Sequence, residues 1–96
     1  MDTGYGQATS SIHGTSWKDP HGAPHLPTYN TTTFGFEDTA TLLDVVEGKR
    51  AGVLYTRYGF NPTIMSLEET LAAIEGAEAA LSFCSGMGAE SALFTT

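Results

Sequence analysis

Residues 85–88, with the sequence Ser-Gly-Met-Gly, have the composition of an anion-binding turn. They stand between a nearly uncharged run at 79–84 and a stretch of helical composition at 89–94. Glycine lets backbone N–H groups approach a ligand closely, and the N-terminus of a helix carries about half a positive charge. A phosphate group suits such a turn, and a tight turn without a ligand is the alternative interpretation.

Three well-known motifs fail at this turn because of the neighbouring residues. A dinucleotide-binding fingerprint would need a third glycine where the chain has Ser91, and a nucleophile elbow would need glycine in place of Phe83. The Gly-Lys-Ser/Thr ending of a P-loop does not occur in the sequence. None of the three motifs therefore explains the turn.

A second group that suits phosphate oxygens lies in the loop between two predicted helices. Arg57 is one of four basic residues in the chain, and Tyr55 and Tyr58 stand beside it. An arginine fork and a tyrosine hydroxyl are good hydrogen-bond donors to phosphate. By spacing alone, a surface arginine stacked on Tyr58 is the simpler interpretation.

Helices are predicted on both sides of that loop. The first begins at Asp38 or Thr39, either of which can cap it, and ends at Gly48. The second begins at Asn61, which is followed by a proline suited to the first helical position, and ends at Gly76. Apolar residues recur through it at spacings of three and four, which predicts one buried face.

The remaining segments predict an α/β fold of which only the beginning is present. Residues 79–84 have the uncharged composition of a strand buried on both faces, so Cys84 is expected to be an inert, buried thiol. The order helix, strand, glycine turn, helix is typical of a parallel sheet. Residues 1–37, rich in proline and glycine, predict an extended N-terminal arm, and 38–96 predict the start of a truncated larger domain.

Composition excludes several classes of protein. The chain has 96 residues, 4 basic and 11 acidic, so its net charge of −7 argues against nucleic acid as a partner. No apolar run is long enough to predict a membrane span, and the start lacks the pattern of a signal peptide, so a cytoplasmic location is expected. His13, His21 and His25 have no cysteine or carboxylate to complete a metal site, and none is predicted.

Four motifs occur in a specific order along the chain. They are Pro27-Thr28-Tyr29-Asn30-Thr31-Thr32-Thr33-Phe34, Tyr55-x-Arg57 with Asn61-Pro62-Thr63, Leu67-Glu68 with Leu71-Ala72 and Glu75-Gly76-Ala77, and Ser85-Gly86-Met87. Together they resemble the N-terminal quarter of the Cys/Met-metabolism enzymes, which depend on pyridoxal 5′-phosphate (PLP). That family includes cystathionine γ-synthase, methionine γ-lyase and O-acetylhomoserine sulfhydrylase. The resemblance implies a fold-type I PLP enzyme of trans-sulfuration, acting on sulfur amino acids or O-acylhomoserine.

The resemblance also implies roles for five residues. Gly86 and Met87, in the turn that begins at Ser85, would hold the cofactor phosphate of their own subunit through backbone amides. Tyr55 and Arg57 would reach the cofactor phosphate of a neighbouring subunit. The active site would then be shared within a homo-oligomer and would accept a small amino-acid substrate.

The sequence departs from the family pattern in two respects. Phe60 adds one residue between Arg57 and Asn61, which bears on where Tyr55 and Arg57 lie. Neither Lys18 nor Lys49 matches the lysine that forms the Schiff base in the family, so no catalytic residue is predicted here and the chain alone is expected to be inactive. The alternatives are a free-standing, non-catalytic module that binds a phosphorylated ligand, and an inert truncated remnant.

Overall fold

The computed structural model describes residues 4–96, and its regular elements in that range are helical. The α-helices are α1 (Gln7–His13), α2 (Thr39–Val46), α3 (Pro62–Glu75) and α4 (Gly86–Thr95), and a short 3-10 helix spans Thr56–Tyr58. One isolated antiparallel bridge joins Thr33 to Tyr55. No helix within residues 4–96 combines the length and the apolar character needed to cross a bilayer.

Helices α2 and α3 confirm the helices predicted from local patterns. The Asp38 carboxylate accepts a hydrogen bond from the Thr41 N–H at 2.7 Å, which caps α2. At the start of α3, the Asn61 side-chain oxygen accepts from the Thr63 N–H at 2.8 Å. Gly76 ends α3 with φ of +63°, a left-handed conformation that glycine adopts without steric cost.

Helix α1 corrects the prediction that the whole arm is extended. Ser10 is only 2% exposed, and a Cβ built on Gly14 would lie 3.1 Å from the Cβ of Ala73 in α3. Small residues therefore let α1 pack closely on α3. This packing stabilises a helix that is too short to be predicted from its own sequence. The division of the chain at residue 37 stays a prediction.

The strand predicted at 79–84 is not formed within the described part of the chain. A strand needs a neighbouring strand to pair its N–H and C=O groups, and residues 4–96 provide none at this place. Leu81 is 74% exposed, and the thiol of Cys84 is exposed rather than buried as predicted. The α/β class is therefore not confirmed by these residues.

Large apolar side chains stay exposed on α3, α4 and the segment between them. Ala72 and Pro62 are buried in α3, whereas Met87, Leu93 and Phe94 are 72%, 69% and 81% exposed. Burial of such side chains against further protein would remove their apolar surface from water. The helices thus present faces suited to packing against further protein.

Candidate phosphate-binding site

The turn predicted at Ser85 forms the N-terminus of a helix. Ser85 has an extended backbone, and its hydroxyl oxygen accepts a hydrogen bond from the Gly88 N–H at 3.0 Å. Its carbonyl accepts from the Ala89 N–H at 3.1 Å, the first hydrogen bond of α4. Ser85 is thus the N-cap that fixes the direction in which the first amides of α4 point.

The next two residues leave their backbone amides available to a ligand. Within residues 4–96 no hydrogen bond uses the N–H of Gly86 or of Met87, and both residues are exposed. A Cβ built on Gly86 would meet no atom within 4 Å, so the space in front of the turn is open. Two unpaired N–H groups at a helix N-terminus attract an anion. The residues present therefore fit a phosphate group.

Tyr55 and Arg57 form a second group on the loop before α3. The guanidinium carbon of Arg57 lies 5.6 Å from the centre of the Tyr55 ring, close enough for a cation–π interaction. The arginine therefore stacks on Tyr55. Spacing alone had predicted stacking on Tyr58, and that prediction is wrong. Tyr58 packs edge-on against Tyr55 instead, with ring centres 5.0 Å apart. Arg57 is exposed and makes no ion pair with any described carboxylate, so its charge is available.

The residue between these two, Thr56, fastens the loop to the arm. Its N–H donates to the carbonyl of Thr32 at 2.9 Å, and its hydroxyl donates to the carbonyl of Thr31. Sequence reasoning treated Thr56 as a spacer. The sequence feature that could have indicated this role is the threonine run at 31–33, because the carbonyl groups of Thr31 and Thr32 accept these bonds.

The extra residue Phe60 is accommodated by the closure of the loop. Gly59 follows the 3-10 helix with φ of +83°, which turns the chain sharply. The carbonyl of Phe60 then accepts a hydrogen bond from the Leu54 N–H at 3.1 Å. The inserted residue thus lies within the closed loop, and Tyr55 forms the bridge to Thr33.

The two groups lie on separate elements of the chain. No hydrogen bond or ring contact in residues 4–96 joins Tyr55 or Arg57 to the turn at 85–87. A cleft of about 840 Å³ separates the loop from the segment before that turn. Its walls include Arg57, Phe60, Phe83 and Cys84. The two groups are therefore separate candidates for contact with an anion.

Within residues 4–96, metal-ligating side chains are not clustered at these groups or elsewhere. The part of the chain that the structure describes contains no cluster of three or more histidine, cysteine, aspartate or glutamate side chains placed to hold an ion. The candidate donors to an anion in this range are backbone amides and one arginine.

Comparison with known proteins gives a consistent set of relatives. The family model for the Cys/Met metabolism PLP-dependent enzymes matches residues 8–96. An L-methionine gamma-lyase of Fusobacterium nucleatum subsp. polymorphum is 40% identical over 92 residues, which are 96% of this chain and 23% of that protein. A second, of Porphyromonas gingivalis, is 42% identical over 84 residues, 88% of this chain and 21% of its own length.

A plant protein is also similar. Cystathionine gamma-synthase 1, chloroplastic, of Nicotiana tabacum is 45% identical over 67 residues, which are 70% of this chain and 12% of that protein. This chain therefore spans less than a quarter of the length of each of these three relatives.

Proposed function

The chain belongs to the Cys/Met metabolism family of PLP-dependent enzymes, as its four ordered motifs predict, and from this membership we propose that it supplies the cofactor-phosphate contacts of a trans-sulfuration enzyme. PLP is the cofactor on which the family depends. When bound, it withdraws electrons from the α-carbon of an amino acid, which allows bonds at that carbon or its neighbours to break. The observation that carries the proposal is the pair of unpaired amides of Gly86 and Met87.

The turn at 85–87 binds and orients the phosphate of the cofactor. Gly86 and Met87 each donate one N–H, and the positive end of α4 adds its partial charge. The Ser85 hydroxyl oxygen accepts from Gly88, so its own proton remains free to donate to a phosphate oxygen. Three donors from consecutive residues hold the group without a local lysine.

Tyr55 and Arg57 contact the phosphate bound by a neighbouring subunit of a homo-oligomer. Three observations support this assignment. The guanidinium is exposed, it has no described carboxylate partner, and it lies on a different element from the turn at 85–87. An active site completed by two chains would use an exposed arginine of this kind.

The substrate of the complete enzyme is a small sulfur amino acid or an O-acylhomoserine. The names of the matched relatives, L-methionine gamma-lyase and cystathionine gamma-synthase, support this class. In the complete protein, residues 79–84 become a strand of a parallel α/β sheet. The exposure of Leu81 and Phe83 supports this change, because both side chains would then be covered.

The test uses a joined protein, in which this chain replaces the matched N-terminal segment of the Fusobacterium methionine gamma-lyase. One variant carries Arg57→Ala, and the other lacks the Schiff-base lysine of the relative's part. Each alone should release little keto acid from methionine. Random pairing of the two in a dimer should restore about one quarter of the sites, because about half of the dimers are mixed and one of the two sites in each has both the lysine and Arg57.

The outcome of mixing separates a shared site from a site within one chain. Recovery of activity near that fraction supports the assignment of Arg57 to the neighbouring subunit. Mixing that restores nothing above the unmixed variants contradicts it. Arg50→Ala is the matched control, since it removes an exposed cation with no proposed contact to phosphate.

A further inference from the structure

Asn61 is a buried side chain whose oxygen and nitrogen both make hydrogen bonds. It is 2% exposed, and only Ser10 among the other polar residues is as deeply buried. Its side-chain oxygen accepts from the Thr63 N–H at 2.8 Å, which caps α3. Its amide nitrogen donates to the Tyr29 carbonyl at 3.0 Å and to the Thr56 hydroxyl oxygen at 3.1 Å.

The two bonds made by the amide nitrogen exceed what a helix cap needs. Capping requires only a side-chain oxygen, and serine or aspartate would provide one equally well. Asparagine combines that acceptor with two donors, and both donors are used here on segments outside α3. The side chain therefore joins three segments: the arm at Tyr29, the loop at Thr56 and the start of α3.

The bond to Thr56 is the one that reaches the phosphate-binding loop. Thr56 stands between Tyr55 and Arg57, and its hydroxyl accepts from Asn61 while it donates to the Thr31 carbonyl. Tyr29 is held on both sides, since its N–H also donates to the Thr63 hydroxyl at 2.8 Å. Asn61 thus fixes the loop and the arm segment beside it against the same helix end.

We propose that Asn61 is a positioning residue for Tyr55 and Arg57, acting through the hydroxyl of Thr56. This inference rests on the proposed role of Arg57 in phosphate binding. The donors of Asn61 hold Thr56 in one orientation, so the side chains before and after it leave the loop in fixed directions. Removal of those donors leaves α3 capped and loosens the loop, which keeps its bonds to Thr31 and Thr32.

The experiment compares Asn61→Ser with wild type in the joined protein, because serine keeps the cap and loses both donors. The first measurement is hydrogen exchange, without cofactor, in peptides covering residues 54–60 and α3. The second is the affinity for pyridoxine 5′-phosphate, which carries the phosphate and ring but no aldehyde. We expect faster exchange at 54–60, unchanged exchange in α3, and a loss of affinity close to that of Arg57→Ala.

A double variant separates positioning from general loss of structure. If Asn61 acts through Arg57, adding Arg57→Ala to Asn61→Ser should weaken binding little further. Two full, additive losses would contradict the proposal. Thr56→Val, which removes the hydroxyl without touching the cap, should reproduce the effect of Asn61→Ser, and the conservative Thr56→Ser should restore most of the affinity.

Two different measurements test the role of Arg57 in phosphate binding and the role of Asn61 in holding the loop. If Arg57→Ala does not weaken binding of pyridoxine 5′-phosphate, the assignment of Arg57 fails. Exchange at 54–60 then decides alone whether Asn61 holds the loop. Unchanged exchange there in Asn61→Ser, or equally accelerated exchange throughout α3, would overturn the positioning role.

Discussion

Glu68 binds Ser82 through one carboxylate oxygen that accepts two hydrogen bonds, from the Ser82 N–H at 2.7 Å and from its hydroxyl at 2.9 Å. Ser82 lies three residues before the N-cap of α4, so its bonds to α3 help determine where the chain enters the turn at 85–87. The adjacent residue, Glu69, makes an analogous contact with the arm, accepting from Thr15 and from Ser16. Two neighbouring carboxylates on α3 thus hold segments from opposite ends of the chain.

Glu68→Ala should loosen the segment before the turn, whereas Glu69→Ala should loosen only the arm. Hydrogen bonds to a charged group contribute about 1–2 kcal/mol when partly exposed to water. We therefore expect faster hydrogen exchange at 79–86 for Glu68→Ala and at 14–18 for Glu69→Ala in the joined protein. The same acceleration at both places in either variant would show that the two glutamates do not act separately.

The helices that could be predicted are those whose ends are determined locally. Asp38 and Asn61 accept hydrogen bonds from amides two or three residues ahead, and Gly48 and Gly76 both have positive φ. These features depend on neighbours in sequence, so composition and spacing were sufficient. The turn at Ser85 was predictable for the same reason.

Features that depend on distant residues could not be predicted in this way. Helix α1 has no side-chain cap, and its close packing depends on Ala73 of α3. An N-cap asparagine is usually exposed, so the burial of Asn61 follows only from its contacts with Tyr29 and Thr56. The strand predicted at 79–84 depends on neighbouring strands that residues 4–96 do not supply.

Gly76→Ala should destabilise the protein, because alanine would have to adopt the left-handed backbone that ends α3 at φ of +63°. The cost of this conformation for a residue with a Cβ is about 1 kcal/mol. The measurement is the free energy of unfolding of the joined protein in urea. Gly86→Ala is the matched control: its added Cβ meets nothing within 4 Å, and its backbone has no positive φ, so stability should not fall.

The cap of α2 should be sensitive to acid. The hydrogen bond from the Thr41 N–H, followed by one from its side chain, lowers the pKa of Asp38 below its usual value of 3.8. A carboxyl group whose pKa is lower in the folded than in the unfolded protein stabilises the helix at pH values above its unfolded-state pKa. That contribution is lost as the pH falls through the folded-state pKa. The NMR shift of the Thr41 amide proton should titrate with a midpoint below 3.8.

Asp38→Asn provides the control for that titration. Asparagine caps a helix as well as aspartate does but carries no titrating proton in this range. The Thr41 amide should therefore stay nearly constant over the same range of pH. A midpoint at or above 3.8 in the wild type would contradict the hydrogen bond as the cause of the shift.

If the unpaired amides of α4 hold the cofactor phosphate as proposed, Gly86→Pro and Gly86→Ala should differ in their binding of phosphate. Both variants add a Cβ, but only proline removes the N–H. Proline suits the first helical position, and the extended backbone of Ser85 is compatible with a following proline.

The measurement is the affinity of the joined protein for pyridoxine 5′-phosphate, with pyridoxine as the ligand that lacks the phosphate. Loss of one hydrogen bond to a charged group should weaken binding of the phosphorylated ligand about 10- to 100-fold in Gly86→Pro relative to Gly86→Ala. Binding of pyridoxine should be the same in both. Equal affinities of the two variants for pyridoxine 5′-phosphate would contradict the claim that this turn binds the phosphate.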